Sequence, residues 1–245
     1  MNAAPGSTPR GTSNEDQAAR WVRRMFDSVA HRYDLLNHLL SFNADRYWRA
    51  RAAARVSHLL APPEARVLDL CCGTGDLLFA LASRRGALVY GADFSRPMLA
   101  EAARKSRRRG ARAALFEADA LRLPLPGASL DLLTIAFGFR NLANYRRGLA
   151  ELRRVLKPGG VLAILEFTQP PNRVFAALYD FYSRRILPRI GAWISGSPGA
   201  YAYLPESVGK FPTAPALAEE MRQAGFADVR YEYLTFGVAA LHLGR

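Results

Sequence analysis

Apolar positions recur along the chain in two alternating rhythms, and their order predicts the fold. Residues 65–70, ARVLDL, form a short run that is mainly apolar apart from Arg66 and Asp69 and reads as a buried strand. The run ends at Cys71-Cys72-Gly73-Thr74-Gly75-Asp76, and a helical pattern follows at once over 77–83. A second strand, 88–93, leads into Ser95-Arg96-Pro97, where a capping hydroxyl and a proline in the first turn start a helix. The third strand, 113–116, runs into Glu117-Ala118-Asp119-Ala120; the turn-rich segment 123–127 separates it from a fourth, 130–137. Helical spacing over 145–156 stops at Lys157-Pro158-Gly159-Gly160, which feeds a fifth strand, 161–167. Strand and helix in alternation predict parallel crossovers and an α/β domain. Near the end the rhythm changes, and 229–236 and 238–243 around Gly237 read as an antiparallel pair closing a mainly parallel sheet.

The flanks read differently. Residues 1–17, rich in Ala, Pro, Gly, Ser, Thr and Asn, predict a disordered tail. From 18 to 60 the spacing is helical with a break at Ser41-Phe42-Asn43, giving a helical cover outside the main domain, 61–245. Residues 169–213 carry many aromatics, among them Phe175, Tyr179, Tyr182, Trp193, Tyr201, Tyr203 and Phe211, with breakers at Pro170, Pro171, Pro188, Pro198 and Pro205. A structureless loop that long is improbable, so the segment predicts a partly helical lid over an apolar substrate.

Composition narrows the picture. A length of 245 residues with 50% apolar side chains supports one sizeable core. Cys71 and Cys72, being adjacent, have neither disulfide-framework nor zinc-site spacing, which points to a reducing cytoplasm and no metal. No apolar run suits secretion or spans a bilayer. The net charge of +13 favours an anionic partner surface, although Arg104 to Arg109 equally reads as a solvated helix end favoured by the helix dipole.

The chemistry begins at the turn after the first strand. Small residues at Gly73 and Gly75 let backbone approach a ligand closely, while Leu78 stands where a dinucleotide fingerprint would have its third glycine. Asp93, 24 positions after Asp69, ends the second strand where a carboxylate accepts both hydroxyls of a ribose. Asp119 and Ala120 are placed to flank an adenine edge, and Asp69 to tie the glycine turn to the preceding helices. Each of these residues singly reads as well as a cap or turn residue; together, with the LKPGG turn, they read as a site.

The segments MFDSVAHRYDLLNHLLSFNADRYWR, VLDLCCGTGDL, FGFRNLANYRRGLAELRRVLKPGG, LEFTQP, YAYLPES and FGVAALHLG resemble the ubiquinone/menaquinone biosynthesis C-methyltransferase family over about residues 25–244. The resemblance implies a class I S-adenosylmethionine-dependent methyltransferase with a Rossmann-like, mainly parallel seven-stranded sheet and an antiparallel last strand. It further implies methyl transfer from S-adenosylmethionine to a ring carbon of a polyprenylated quinol, with demethylated menaquinol favoured and the methoxybenzoquinol of ubiquinone synthesis a second acceptor. Cofactor contacts carried over are Asp69, Gly73, Thr74, Gly75, Asp93, Asp119 and Ala120; Arg140 and Asn141 of FGFRN lie beside the methyl, and Tyr33, Asp34 and Asn37 of YDLLN close over both ligands. The chain departs from the family pattern at Leu36 (usually Met), Asp45 (usually His), Ala136 (often Ser) and Thr168 (usually Ser).

An aryl carbon needs a hydroxyl-derived charge to attack a methyl group, so Arg140 reads as the stabiliser of a developing phenolate and Asn141 as an orienting group, with water an adequate proton acceptor. A structural salt bridge from Arg140 to Glu166 is the competing reading. Tyr33, Asn37, Tyr201 and Tyr203 are candidate substrate contacts, and His31 is the histidine nearest the expected site. The prenyl tail and the excess arginine together imply transient, peripheral contact with the cytoplasmic face of the membrane, compatible with a homodimer. The alternatives are a methyltransferase for another apolar small molecule, an RNA-binding methyltransferase suggested by charge alone, and a non-catalytic cofactor-binding scaffold.

Overall fold

The computed structural model describes residues 6–85, 88–182, 185 and 198–245. Four helices, α1 (Glu15–Val29), α2 (Tyr33–Leu40), α3 (Ala44–Arg55) and α4 (Ser57–Leu60), precede the sheet. There follow β1 (Val67–Leu70), α5 (Asp76–Arg85), β2 (Val89–Asp93), α6 (Arg96–Arg109), β3 (Ala113–Glu117), β4 (Leu130–Ala136), α7 (Tyr145–Val155) and β5 (Leu156–Phe167). After them come α8 (Arg173–Phe181), α9 (Pro198–Lys210), α10 (Ala214–Gln223), β6 (Arg230–Leu234) and β7 (Ala239–Gly244).

The strands form one seven-stranded sheet in the order β3-β2-β1-β4-β5-β7-β6, parallel except that β7 runs antiparallel between β5 and β6. All four residues of β1 are buried because helices cover both faces, so Val67 joins one core with Leu78, Leu81 and Trp48 while Leu68 joins the other with Leu149, Leu152 and Met221. The order reverses beside β1, and the crevice outside the carboxyl ends of β1 and β4 is where open α/β sheets bind ligands. Local sequence fixes the helices beside it. Ser95 caps α6 by accepting from the Met98 amide, with Pro97 in the first turn and Gly110 at φ 60° ending the helix.

Residues 6–17 are not the disordered tail that their composition predicts. Ser7 is buried; its amide donates to the Leu142 carbonyl, and its hydroxyl is hydrogen-bonded to that of Tyr203 at 2.8 Å. A Cβ at Gly6 would stand 1.9 Å from the Ala143 carbonyl oxygen, and Asn14 caps α1 by accepting from the Gln17 amide. The small residues that suggest disorder serve close approach instead. Within 169–213, α8 and α9 supply the helical content expected, whereas Phe211 is core, packed on Tyr145 and Phe139. Pro188, Trp193 and the Tyr201 side chain lie outside the described residues.

Candidate active site

The turn after β1 is built around left-handed backbone: Cys71 and Gly73 both have φ 53° and Gly75 has φ 91°. A side chain at Gly75 would strike the Phe79 ring at 2.7 Å, while Gly73 has nothing within 4 Å of a Cβ and faces open space. That space is a cavity lined by Gly73, Asp93, Met98, Asp119, Ala120 and Asn141. Asp93 accepts from the Gly73 amide at 2.8 Å and the Ser95 amide at 2.9 Å, tying turn, strand and helix together at the cavity wall. Asp119 accepts from the Leu121 amide at 2.9 Å, which holds its carboxylate at the same wall. Asp69 accepts from the Thr134 hydroxyl at 2.6 Å and lines a small polar extension of this space with Tyr33, Arg49 and Thr74. Its second oxygen is buried with no hydrogen-bond partner among the described residues. Burial pushes the Asp69 carboxyl up to about 7, against the Thr134 hydrogen bond, and Asp93 up to about 6, against its backbone amides.

A second cavity, about 240 Å³, abuts the first and shares Phe26, Tyr33 and Phe137 with it. Its walls are mainly aromatic: Trp48, Phe137 and Phe167 form a cluster with ring centroids 4.7 to 5.8 Å apart. Arg49 lies over Phe137 and Arg140 over Phe167, each 5.3 Å from the centroid. Arg140 is 5% exposed; its Nη1 donates to the Phe137 carbonyl at 2.6 Å and to Glu166 Oε1 at 2.7 Å. The structural salt bridge is therefore real, and it holds the guanidinium on the cavity wall. Phe137 makes this possible by turning out of β4 at φ 60°, which aims its carbonyl at both Arg140 and the Asn141 amide.

The predicted site residues thus divide between two chambers. Asp93, Asp119, Ala120, Gly73 and Asn141 line the first; Arg140, Asn37 and Tyr203 line the second; Tyr33 lines both. Thr74 borders the polar extension beside Asp69, and its hydroxyl donates to Asp34 and accepts from Lys105 at 3.0 Å. Lys105 also pairs with Asp34 and, at 2.9 Å, with Asp76, so α2 is latched onto the glycine turn. The Tyr203 hydroxyl is held between Ser7 and Asn141, leaving its ring to the cavity. His31 does not reach the site; its side chain is on the surface beside Glu101. Lys105, Arg49, Trp48 and Ser7 went unpredicted, and only the YW of the DRYWR segment offered a signal for any of them.

A glycine turn at the switch point, acids ending β2 and β3, and an adjoining apolar chamber define a class I S-adenosylmethionine-dependent methyltransferase. Solved structures share the fold: the [4+2]-cyclase SpnF aligns with TM-score 0.65 at 21% identity over 96% of this chain and 80% of its own, and a Thermotoga maritima methyltransferase with 0.63 at 18% over 91% and 98%. The ubiE/COQ5 methyltransferase family model matches residues 12–245, and the chain belongs to that family. A demethylmenaquinone methyltransferase of Thermus thermophilus is 55% identical over 90% of this chain and 99% of its own. One of Deinococcus radiodurans is 49% identical over 91% of each chain, and a ubiquinone/menaquinone biosynthesis C-methyltransferase of Syntrophotalea carbinolica is 45% identical over 91% and 93%.

The cavity residues fit S-adenosylmethionine. The partnerless oxygen of Asp69 suits a cationic group, and the open space at Gly73 beside Asp93 suits a ribose. Because a cation favours ionised Asp69, cofactor affinity should fall as pH drops through about 7 and again through about 6, by at least about tenfold from pH 8 to 5.5. Calorimetric titration checks this, and Asp69→Asn should flatten the profile. In the ligand-free protein the linkage runs the other way. A carboxyl that titrates near 7 when folded and near 4 when unfolded keeps a proton the unfolded chain has lost, so stability declines as pH rises between those values. Asp69→Asn should accordingly raise the thermal midpoint at pH 8.

Proposed function

We propose that the protein methylates a ring carbon of a polyprenylated quinol, with demethylated menaquinol the favoured acceptor and the methoxybenzoquinol of ubiquinone synthesis a second. The observation that carries this reading is the pair of abutting chambers, one with the acids Asp93 and Asp119 on its wall, one rich in aromatic side chains, divided by Tyr33 and Phe137 with Arg140 on the aromatic side. Bound S-adenosylmethionine supplies an activated methyl group. The protein's part is alignment and charge. Arg140, fixed by Glu166 and the Phe137 carbonyl, presents a permanent cation to the phenolate that forms as the quinol hydroxyl loses its proton. Asn141, anchored on the same carbonyl, and Tyr33, hydrogen-bonded to Asn37, hold the ring at the junction.

Helices α1 to α3 act as the cover and α8 with α9 as the lid. Leu35, Leu39, Phe42, Leu178 and Phe181 are exposed, with Phe42 and Tyr182, 6.0 Å apart, at the mouth of the aromatic chamber. Each methylene of a prenyl tail gains about 0.8 kcal/mol in an apolar phase. The acceptor therefore stays largely in the bilayer, and this apolar rim with the net charge of +13 brings the enzyme to an anionic cytoplasmic leaflet. No described helix is long and apolar enough to cross a membrane. The test is anaerobic transfer of labelled methyl to reduced demethylmenaquinol and polyprenyl methoxybenzoquinol in parallel. Label is expected in the naphthoquinol; label in neither, with cofactor bound, would sink the assignment.

A further inference from the structure

Methyl transfer from a sulfonium to a quinol releases one proton per turnover, and the aromatic chamber is walled mostly by groups that cannot take it. Among its described lining residues Asp45 is the sole carboxylate. Ser41 lines the chamber beside it and donates to Asp45 Oδ1 at 2.8 Å; Asp45 Oδ2 lies 2.7 Å from Nδ1 of His38. His38 in turn lines a different space, an open cleft on the other side with Arg46, Arg109 and Arg112. Three side chains thus form an unbroken hydrogen-bonded path from the buried chamber to a solvent-facing cleft. We propose that Ser41, Asp45 and His38 are the proton exit of the acceptor chamber, an inference that rests on the quinol reading.

The step balances as follows. The acceptor O–H bond breaks and its proton passes to Ser41 Oγ, while the Ser41 proton passes to Asp45 Oδ1. The freed electron pair enters the ring, whose adjacent carbon takes the methyl group, the methyl–sulfur pair staying on sulfur. The proton on the methylated carbon returns to the ring oxygen as aromaticity is restored. At rest Nδ1–H of His38 donates to ionised Asp45 and Nε2 is bare. Once Asp45 is protonated, tautomer exchange at the partly exposed imidazole moves that hydrogen to Nε2, and after a half-turn of its carboxyl group Asp45 hands its proton to Nδ1 as the Nε2 hydrogen leaves into the cleft, which restores the resting state.

The surroundings suit a path better than a cation site. His38, Asp45 and Asp76 bring ligand-capable atoms within 4.8 Å, but Arg49 already pairs with Asp45 and Lys105 with Asp76. The charged groups facing His38 are Asp45 and, 3.9 Å from Nε2, Asp76, with Arg49 beside both acids. Burial acts to raise the Asp45 carboxyl, and Arg49, Ser41 and His38 outweigh it, so that Asp45 stays ionised and releases a proton readily.

Single-turnover methyl transfer to a short-tailed demethylmenaquinol, in protein preloaded with S-adenosylmethionine, tests the path across pH 5.5 to 9. D45N should be about 100-fold slower with cofactor affinity within about threefold of wild type. Its deficit should shrink for an acceptor whose electron-withdrawing substituent leaves the hydroxyl already ionised. H38A, which keeps the Asp45–Arg49 pair and so covers a D45N that fails to fold, should be about tenfold slower and recover with added imidazole. D45N at wild-type speed, equal deficits for both acceptors, or no imidazole rescue overturns the path. A wild-type enzyme that labels no quinol overturns the acceptor reading and the path together; a working wild type with indifferent variants overturns the path alone.

Discussion

Glu166→Ala is expected to lower unfolding stability by about 3–5 kcal/mol and to slow methyl transfer by about 100-fold or more. Glu166 is 1% exposed and accepts from Nη1 of Arg140 at 2.7 Å, from the Arg140 amide at 3.1 Å and from the Phe167 amide at 2.9 Å. Burial works against the charged guanidinium and Glu166 outweighs it, so removing the carboxylate strands a buried cation. The paired change R140M with E166L should recover much of the stability, since two apolar groups replace a buried ion pair, yet stay inactive because no cation faces the chamber. Urea unfolding and single-turnover transfer on wild type, E166A and the double variant separate the two roles. If the double variant still methylates, Arg140 is scaffolding and the phenolate assignment falls.

Asp93→Ala should weaken S-adenosylmethionine binding several hundred-fold. Two hydrogen bonds to a charged carboxylate, at about 1.5–3 kcal/mol each, amount to roughly 3–4 kcal/mol after partial compensation by water. The same carboxylate organises the turn through the Gly73 and Ser95 amides, so some thermal destabilisation will accompany the change. Direct titration distinguishes the contributions: affinity within tenfold of wild type would show that Asp93 shapes the turn without touching the ligand.

Most of the fold could be read from the chain because β1, most of β4 and the second half of β5 are buried and must be largely apolar runs. The glycine turn was equally legible, since Gly73 and Gly75 occupy backbone conformations that other residues adopt reluctantly. What escaped depends on partners distant in sequence. Ser7 meets Tyr203 across 196 positions and Trp48 donates to Thr235 across 187, and neither pairing leaves a periodic trace. The partners of the Thr74 hydroxyl, Asp34 and Lys105, lie 40 and 31 positions away and were equally hidden. Adjacency misled at His31, which sits two residues before Tyr33 yet on the opposite side of the turn into α2, at the surface. Of the two readings of Arg140, the structure shows the ion pair with Glu166, which keeps the cation on the chamber wall; its role toward a phenolate is what the double variant tests.

The walls shared by the two chambers carry a thermodynamic consequence. Phe26 of α1 and Tyr33 of α2 each face both spaces, so a shift of either helix toward one ligand redraws the surface offered to the other. Occupancy of the two sites is thereby linked, and linkage is reciprocal: by whatever factor bound cofactor tightens the acceptor, the acceptor tightens the cofactor by the same. An acceptor that reaches the enzyme ahead of the cofactor accordingly forgoes that factor, and so does a cofactor that arrives first.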